Sequence, residues 1–264
     1  MLELREVRKT FYPGTPNEKK ALNGIELHLD AGEFVTVIGS NGAGKSTLFN
    51  AIGGAFLIDS GVIQLDGRNI TSMKEYKRAF DIGRLFQDTM KGTAPNMTIE
   101  ENLALAYTRK AGRSFFAVNK RDKEYFRDLV KKLGLGLEDR MRTKVGQLSG
   151  GQRQAVSLLM AAIAQPKLLL LDEHTAALDP ATAEKVLRIT EDMIQKDKIT
   201  TMMITHDIQA ALRLGNRTVM MDEGRIIFDI SGKEREEMTV EKLMECYEKN
   251  SRKKLENDRM LLHR

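Results

Sequence analysis

Nine consecutive residues, Gly39–Thr47 (G-S-N-G-A-G-K-S-T), have the types and spacing to hold a chain of phosphates. Four glycine or alanine positions (Gly39, Gly42, Ala43, Gly44), with Ser40 and Asn41 between them, let the backbone curl so that successive N–H groups point into one concavity. A helix starting behind them adds the positive end of its dipole. Lys45 supplies a point charge for β- and γ-phosphates, Ser46 a hydroxyl for Mg²⁺, and Thr47 a hydrogen bond to the α-phosphate or the local backbone. The alternative is an ordinary glycine-rich turn, but the match is long and is flanked by a strand and the start of a helix. The stretch reads as a binding loop for a nucleoside triphosphate.

Two further clusters could complete a hydrolytic site. Asp172 and Glu173 follow the apolar run Leu168–Leu171, and open α/β sheets place ligands at the carboxyl ends of such strands. Asp172 would hold Mg²⁺, directly or through water, and Glu173 would orient an attacking water or take its proton. His206 sits at the end of another strand, Thr200–Ile204, and would either donate to the γ-phosphate or link Glu173 to the nucleotide. Leu148-Ser149-Gly150-Gly151-Gln152 precedes the apolar helix Ala155–Ala164, as a plain helix cap or as a second anion-binding surface. One phosphate loop needs one cradle for its own nucleotide. A second cradle would serve the γ-phosphate held by another copy, giving a head-to-tail homodimer with two shared ATP sites. Phe11 and Tyr12, beside Pro13 and Gly14, would either stack on a purine or pack the edge of a sheet.

Periodicity supplies the elements that must carry these groups. Phe34–Ile38 (F-V-T-V-I) is a buried strand entering the loop, and Leu48, Phe49 and Ile52 mark the helix behind it. Met1–Lys9 alternates loosely and reads as an edge strand, with Leu22–Leu29 antiparallel to it. Gly61–Leu65 and Ile82–Phe86 are short strands, the second ending at Gln87. Thr98-Ile99-Glu100-Glu101 opens a helix with a capping box, and Phe115–Leu133 is a charged helix. Residues of about 92–155 thus form a helical lobe inserted into an α/β core. Ala181–Lys196 and Asp207–Leu214 are helices, and Arg217–Met221 with Gly224–Phe228 form a hairpin. The last thirty or so residues are charged and helical, with apolar Val240, Leu243, Met244 and Tyr247, fraying after Asn250.

Hydrophobic residues make up 41% and charged residues 30% of the 264, placing the chain among soluble globular proteins. A net charge of +5 suits a polyanionic nucleotide or an anionic membrane surface and is too mild to imply nucleic acid. The start, M-L-E-L-R-E-V, lacks a signal-peptide core. The most apolar region, Val156–Leu171, is broken by Gln165, Pro166 and Lys167 and cannot span a membrane. The single cysteine, Cys246, excludes an internal disulfide framework, and the four histidines form no metal-binding cluster with it.

Together these residues resemble the nucleotide-binding domain of ATP-binding cassette (ABC) transporters, from Met1 to about Phe228. L-S-G-G-Q (Leu148–Gln152) matches that family's signature sequence. Gln87 falls at its Q-loop, Leu168–Glu173 at its second Walker motif, Ala177-Leu178-Asp179 at its D-loop and His206 at its switch histidine. Lys9-Thr10-Phe11 matches the aromatic loop that stacks on adenine, which selects Phe11 over Tyr12.

The resemblance implies an α/β P-loop NTPase core with a mostly parallel sheet, an N-terminal antiparallel β subdomain and an inserted helical subdomain. The ATPase domain would cover residues 1–230, followed by a charged helical extension at 231–264. ATP and Mg²⁺ are the implied cofactors. The nucleotide would be contacted by Phe11 and by Gly39, Ser40, Asn41, Gly42, Ala43, Gly44, Lys45, Ser46 and Thr47. Ser149, Gly150, Gly151 and Gln152 would contact the ATP of the other copy. Ser46, Gln87 and Asp172 would hold the metal, Lys45, Gln87, Glu173 and His206 would be catalytic, and Asp179 would organise the dimer interface. Closure would pass through Gln87 and the helical lobe to integral membrane permease subunits, and indirectly to an extracytoplasmic substrate-binding protein. The chain would then sit peripherally on the cytoplasmic side of the cell membrane.

Many members carry Pro after the glutamate, where this chain has His174 (D-E-H-T-A-A-L-D). Histidine frees φ and adds a polar side chain, and with Glu173 retained the expectation is a local variation. G-T-A-P-N-M-T-I-E-E-N-L (Gly92–Leu103) resembles bacterial importer ATPases encoded beside a permease and binding protein of the tryptophan or amino-acid type. An exporter subunit would share these motifs. A soluble ATPase of the same fold would usually carry two cassettes or a long coiled coil, and neither is present. A non-hydrolysing module would not need Lys45, Asp172, Glu173 and His206 together.

Overall fold

The computed structural model describes residues 1–88, 90–109, 118–176 and 178–250, with side chains as far as Tyr247 at the C-terminal end. In chain order the elements are β1 (Leu2–Phe11), β2 (Lys19–Leu29), β3 (Phe34–Gly39), α1 (Lys45–Gly53), β4 (Ser60–Leu65), β5 (Arg68–Asn69), α2 (Glu75–Arg78) and β6 (Ile82–Leu85). Then follow α3 (Ile99–Tyr107), α4 (Lys120–Lys132), α5 (Gly150–Ala162), β7 (Leu168–Asp172), α6 (Pro180–Asp197), β8 (Thr200–Ile204) and α7 (Ile208–Arg213). The chain continues with β9 (Arg217–Asp222), β10 (Arg225–Ser231), α8 (Gly232–Glu236) and α9 (Val240–Asn250). They fall into two compact units, Met1–Arg78 together with the chain from Lys198, and Ala79–Asp197.

In the first unit β3 runs parallel to β8 on one side and β9 on the other, and β10 returns antiparallel to β9. Every residue of β3 and β8 is buried, as parallel strands covered on both faces require. A second, antiparallel sheet has the order β2-β1-β4-β5. Loose alternation suggested an edge position for the first strand, but β1 pairs on both sides, Leu4 with Leu27 of β2 and with Ile63 of β4. The irregularity comes from register shifts between Leu4 and Arg8, where Glu6 has φ of 47°. A bulge breaks alternation without freeing an edge.

In the second unit β6 pairs in parallel with β7, from Ile82↔Leu168 to Leu85↔Leu171. Helices α3, α4 and α5 each begin at a reciprocal cap: Thr98 with Glu101, Asn119 with Asp122, and Ser149 with Gln152. Leu103, Phe126, Val130, Leu148 and Val156 share one buried cluster. Phe126 and Val130, with partly buried Leu129, are therefore the core-facing stripe of the strongly charged α4, while Tyr125 is 42% exposed. The charged helix is observed from Lys120, and residues 115–117 of its expected span lie outside the described residues. Buried Asn102 accepts from the Ala94 N–H and donates to the carbonyls of Ala94, Met97 and Thr98, tying the preceding loop to α3. Among the described residues no helix is long and apolar enough to cross a membrane.

Candidate functional site

Three glycines set the phosphate-loop geometry. Gly39, Gly42 and Gly44 have φ of 145°, 83° and 105°, conformations that L side chains rarely adopt. A Cβ on Gly39 would collide with the Met221 carbonyl oxygen, and one on Gly44 would lie 2.5 Å from that of Ala21. The chain thus leaves a buried strand, curls, and enters α1 at Gly44, whose carbonyl accepts from Leu48 N–H at 2.8 Å. Lys45 is buried, with Nζ donating to the carbonyls of Gly39 (2.7 Å) and Ser40 (3.0 Å). Those bonds pin the ammonium to the loop, beside the N-terminus of α1, where a phosphate chain is favoured.

Two supports of this loop left no mark in the sequence pattern. The β9–β10 turn reads as a simple hairpin turn, yet Gly224 N–H donates to the Ala43 carbonyl at 2.9 Å and its own carbonyl accepts from Asn23 N–H at 2.8 Å. Arg78 is 2% exposed, and its guanidinium donates to four carbonyls, those of Ala51 and Ile52 (2.8 Å each), Met73 (2.8 Å) and Thr71 (2.9 Å). The first two belong to the last turn of α1. A buried cation therefore offsets the negative end of the helix whose positive end faces the loop. Burial lowers the Arg78 pKa from its usual value.

In the same unit, Phe11 is half-buried and meets Phe56 edge-on, with ring centroids 5.4 Å apart. Lys9 lies over both rings and bonds Asp59 at 2.8 Å, while Asp59 also accepts from Thr10 N–H at 2.6 Å. Tyr12, with φ of 52°, is 69% exposed. His206 is half-buried at the end of β8, and the next residue, Asp207, caps α7 by accepting from Ala210 N–H at 2.9 Å.

In the second unit the four buried leucines of β7 lead to Asp172 and then to Glu173. Glu173 has φ of 46°, a left-handed conformation that costs a non-glycine residue on the order of 1 kcal/mol. Its Oε2 accepts from Gln87 Nε2 at 3.3 Å, so residues beyond the ends of two paired parallel strands meet. His174, the departure from proline, is buried, with Nε2 3.3 Å from Thr190 Oγ1. The Thr190 hydroxyl donates to the Val186 carbonyl at 2.8 Å, which leaves its oxygen as acceptor and puts the imidazole proton on Nε2. Desolvation lowers the His174 pKa from 6.5 to about 4.

The L-S-G-G-Q segment opens α5 in that unit. Ser149 is exposed and its hydroxyl accepts from Gln152 N–H at 3.3 Å, while Gln152 Oε1 accepts from Ser149 N–H at 3.2 Å, so the helix cap is formed. Gly150 is exposed and Gly151 buried, and a Cβ on Gly151 would collide with Thr182 Cγ2 of α6. Asp179 accepts from Thr182 N–H at 3.0 Å, and Pro180 takes the first helical position, where its missing N–H costs nothing. That hydrogen bonding lowers the Asp179 pKa. Ala177 lies outside the described residues.

The loop's groups fit a triphosphate with its Mg²⁺. In the first unit the loop presents a buried ammonium and the Ser46 hydroxyl, a hard oxygen donor of the kind Mg²⁺ takes alongside substrate phosphates, and in the second unit Asp172 is a carboxylate of the same donor class. The described residues hold no cluster of three or more His, Cys, Asp or Glu that would cage a metal by themselves.

Comparison with known proteins agrees. A family model described as ABC transporter matches residues 22–176. The chain is 40% identical to the "Tyrosine transport ATP-binding protein" of Clostridioides difficile, over 94% of this chain and 99% of that one. It is 34% identical to a "Xylose/arabinose import ATP-binding protein" of Sulfolobus acidocaldarius, over 93% and 92%. Among solved structures, a dimeric ATP-binding cassette in a post-hydrolysis state bound to ADP and Pi superposes with a TM-score of 0.76 at 29% identity, covering 88% of this chain and 98% of that one. The arrangement of a mixed, mostly parallel core sheet with antiparallel and helical flanks is thus a P-loop NTPase-like ABC-ATPase fold. By fold and by sequence kinship along nearly its whole length, the chain belongs to the ABC transporter family, as an ATP-binding cassette.

Proposed function

We propose that this chain is the ATP-hydrolysing subunit of a membrane importer for an amino acid or a related small molecule. The observation that carries the hydrolytic reading is the Gln87–Glu173 contact beyond the parallel strand ends, with Glu173 held in a left-handed backbone conformation. Glu173 orients a water and takes its proton as the water oxygen attacks the γ-phosphorus and the bond to the β-phosphate breaks. The Gln87 amide keeps the carboxylate aimed. Lys45 and the loop amides stabilise charge as it develops on the phosphate oxygens, and His206 donates to the γ-phosphate. Ser46 and Asp172 would hold Mg²⁺, which would supply charge neutralisation to the phosphates.

The homodimer reading draws support from the dimeric cassette that this chain resembles. In the proposed homodimer, Ser149 and the N-terminus of α5 from one copy complete the site on the phosphate loop of the other. Phe11 stacks on the adenine. An amino-acid cargo is favoured by the name of the 40% identical relative. The chain would work at the cytoplasmic face of the membrane, with permease subunits and an extracytoplasmic binding protein choosing the solute.

Glu173→Gln tests the core of this proposal. Turnover should fall at least 100-fold, on the order expected for loss of a general base, while MgATP drives the variant into dimers. Unchanged turnover would remove Glu173 from its role, and monomers at high concentration with MgATP would remove the shared site. Copurification with a permease, and binding of tyrosine, tryptophan or a pentose by the associated binding protein, decides the cargo.

A further inference from the structure

The segment after β10 reaches back under the functional groups of the first unit. Arg235, on α8, is 9% exposed, and its Nε donates to Thr218 Oγ1 at 3.0 Å. Its Nη2 donates to the Ala211 carbonyl at 3.0 Å and to that of Leu214 at 2.5 Å. Both carbonyls lie at the C-terminal end of α7, where helix carbonyls lack intrahelical donors and a cation is favoured. The Ala211 oxygen also accepts from Thr36 Oγ1 at 2.9 Å, and the Thr36 and Thr218 hydroxyls lie 2.9 Å apart. Thr36 is on β3, three residues before Gly39 of the phosphate loop. One buried guanidinium and two hydroxyls thus join α7 to the strand that carries the loop.

A second contact lies nearby. On α9, Leu243 and Tyr247 are buried in a cluster with Ile38, Ile208, Ala211 and Met220. Ile38 immediately precedes Gly39, and Ile208 is two residues beyond His206. Helix α7 is only six residues long, about 9 Å, and His206 stands two residues before its first residue, Ile208.

We propose that α8 and α9 are a positioning element for hydrolysis. Arg235 clamps α7 to β3, α9 wedges the same pair, and together they set His206 relative to the phosphate loop. Arg235 is a positioning residue, acting through His206, and this inference rests on the reading of His206 as a γ-phosphate contact. Removing the clamp lets His206 shift, which lowers the chemical step while leaving the loop able to bind nucleotide. A misplacement of about 1 Å in a catalytic group can cost up to about 100-fold in rate.

The test uses steady-state MgATP hydrolysis by the full chain carrying Arg235→Met, Arg235→Lys, His206→Ala and the Arg235→Met/His206→Ala double substitution. Arg235→Met should lower kcat on the order of tenfold with KM for ATP within about twofold, and Arg235→Lys should recover part of the loss. In the His206→Ala background, Arg235→Met should add little, because both act on one step. If His206→Ala leaves kcat unchanged, the reading of His206 fails. If His206→Ala lowers kcat but Arg235→Met does not, or if the two losses multiply in full, the positioning role is overturned. Circular dichroism melts check folding. Should Arg235→Met not fold, the nearly isosteric Thr218→Val, which removes the hydroxyl that Arg235 bonds, should lower kcat about threefold at constant KM, and an unchanged kcat there overturns the proposal equally.

Discussion

Gln87 and Glu173, 86 residues apart in sequence, meet with 3.3 Å between amide nitrogen and carboxylate oxygen because each stands two residues beyond a matched pair, Leu85 and Leu171, on adjacent parallel strands. Register sets the neighbours. The left-handed turn at Glu173 then departs from the strand direction at the residue whose carboxylate meets Gln87.

That turn has a stability signature separable from chemistry. Glu173→Gly and Glu173→Ala both remove the carboxylate, and both should cut ATP turnover by at least about 100-fold. Glycine accepts φ of 46° freely whereas alanine does not, so the glycine variant should be more stable than the alanine variant by about 1 kcal/mol. Urea unfolding midpoints measure the difference. Equal midpoints would mean that the conformation carries no strain.

The phosphate loop should tolerate no side chain at Gly44. Alanine there places its Cβ 2.5 Å from the Ala21 carbonyl oxygen, a backbone atom that cannot step aside. Gly44→Ala should lose stability on the order of 2–4 kcal/mol and lose MgATP binding. Gly67→Ala is the control, since Gly67 has φ of 74° but no atom within 4 Å of the place an added methyl would take. It should cost about 1 kcal/mol and leave nucleotide binding intact in equilibrium titration.

His174 predicts a pH dependence of folding. Its pKa is about 4 when folded and 6.5 in the unfolded reference, so the unfolded chain takes up the proton first as pH falls. Above pH 6.5 neither state is protonated and this residue contributes no pH dependence. Between 6.5 and 4 it progressively destabilises the fold, by up to about 3 kcal/mol. His174→Gln retains an N–H donor for Thr190 but does not titrate. Unfolding free energies of the two proteins, compared at pH 8, 6, 5 and 4, should therefore diverge only on the acid side, with the glutamine variant the less acid-sensitive.

Arg78→Met should destabilise the fold on the order of 3 kcal/mol, because it strips donors from buried carbonyls at the end of α1 and in the segment before α2. Arg78→Lys should restore only part of this, since one ammonium cannot span four carbonyls as a planar guanidinium does. Chemical denaturation measures both. A loss below about 1 kcal/mol for the methionine variant would show those carbonyls finding other donors.

Much of the fold was legible because its strands announce themselves locally. Phe34–Ile38, interrupted only by Thr36, and Leu168–Leu171 are apolar runs, and each hands a recognisable motif to a turn. The cap at Thr98 was equally readable, since a capping box is complete within four residues, whereas Leu148–Gln152 read either as a plain cap or as an anion-binding surface. The role of Arg78 was not, because it resembles any surface arginine until the carbonyls of Ala51 and Ile52 arrive from 27 and 26 residues away. The Gly224 support for Ala43 and the Arg235 clamp are likewise long-range hydrogen bonds to backbone, which no side-chain pattern encodes. The first strand was misplaced for a related reason. A bulge at Glu6 imitates the weak alternation of an edge, and only pairing partners distinguish the two.

Gly151 carries a practical warning for mutational scanning. Because Thr182 of the same chain fills the space beside it, any larger residue should lower the abundance of the isolated subunit, whether or not a second copy ever docks. A library scored by transport alone would attribute that intolerance to the partner's nucleotide. Scoring the same library by cellular protein level would separate the two demands, and exposed Ser149, rather than Gly151, would then report on assembly.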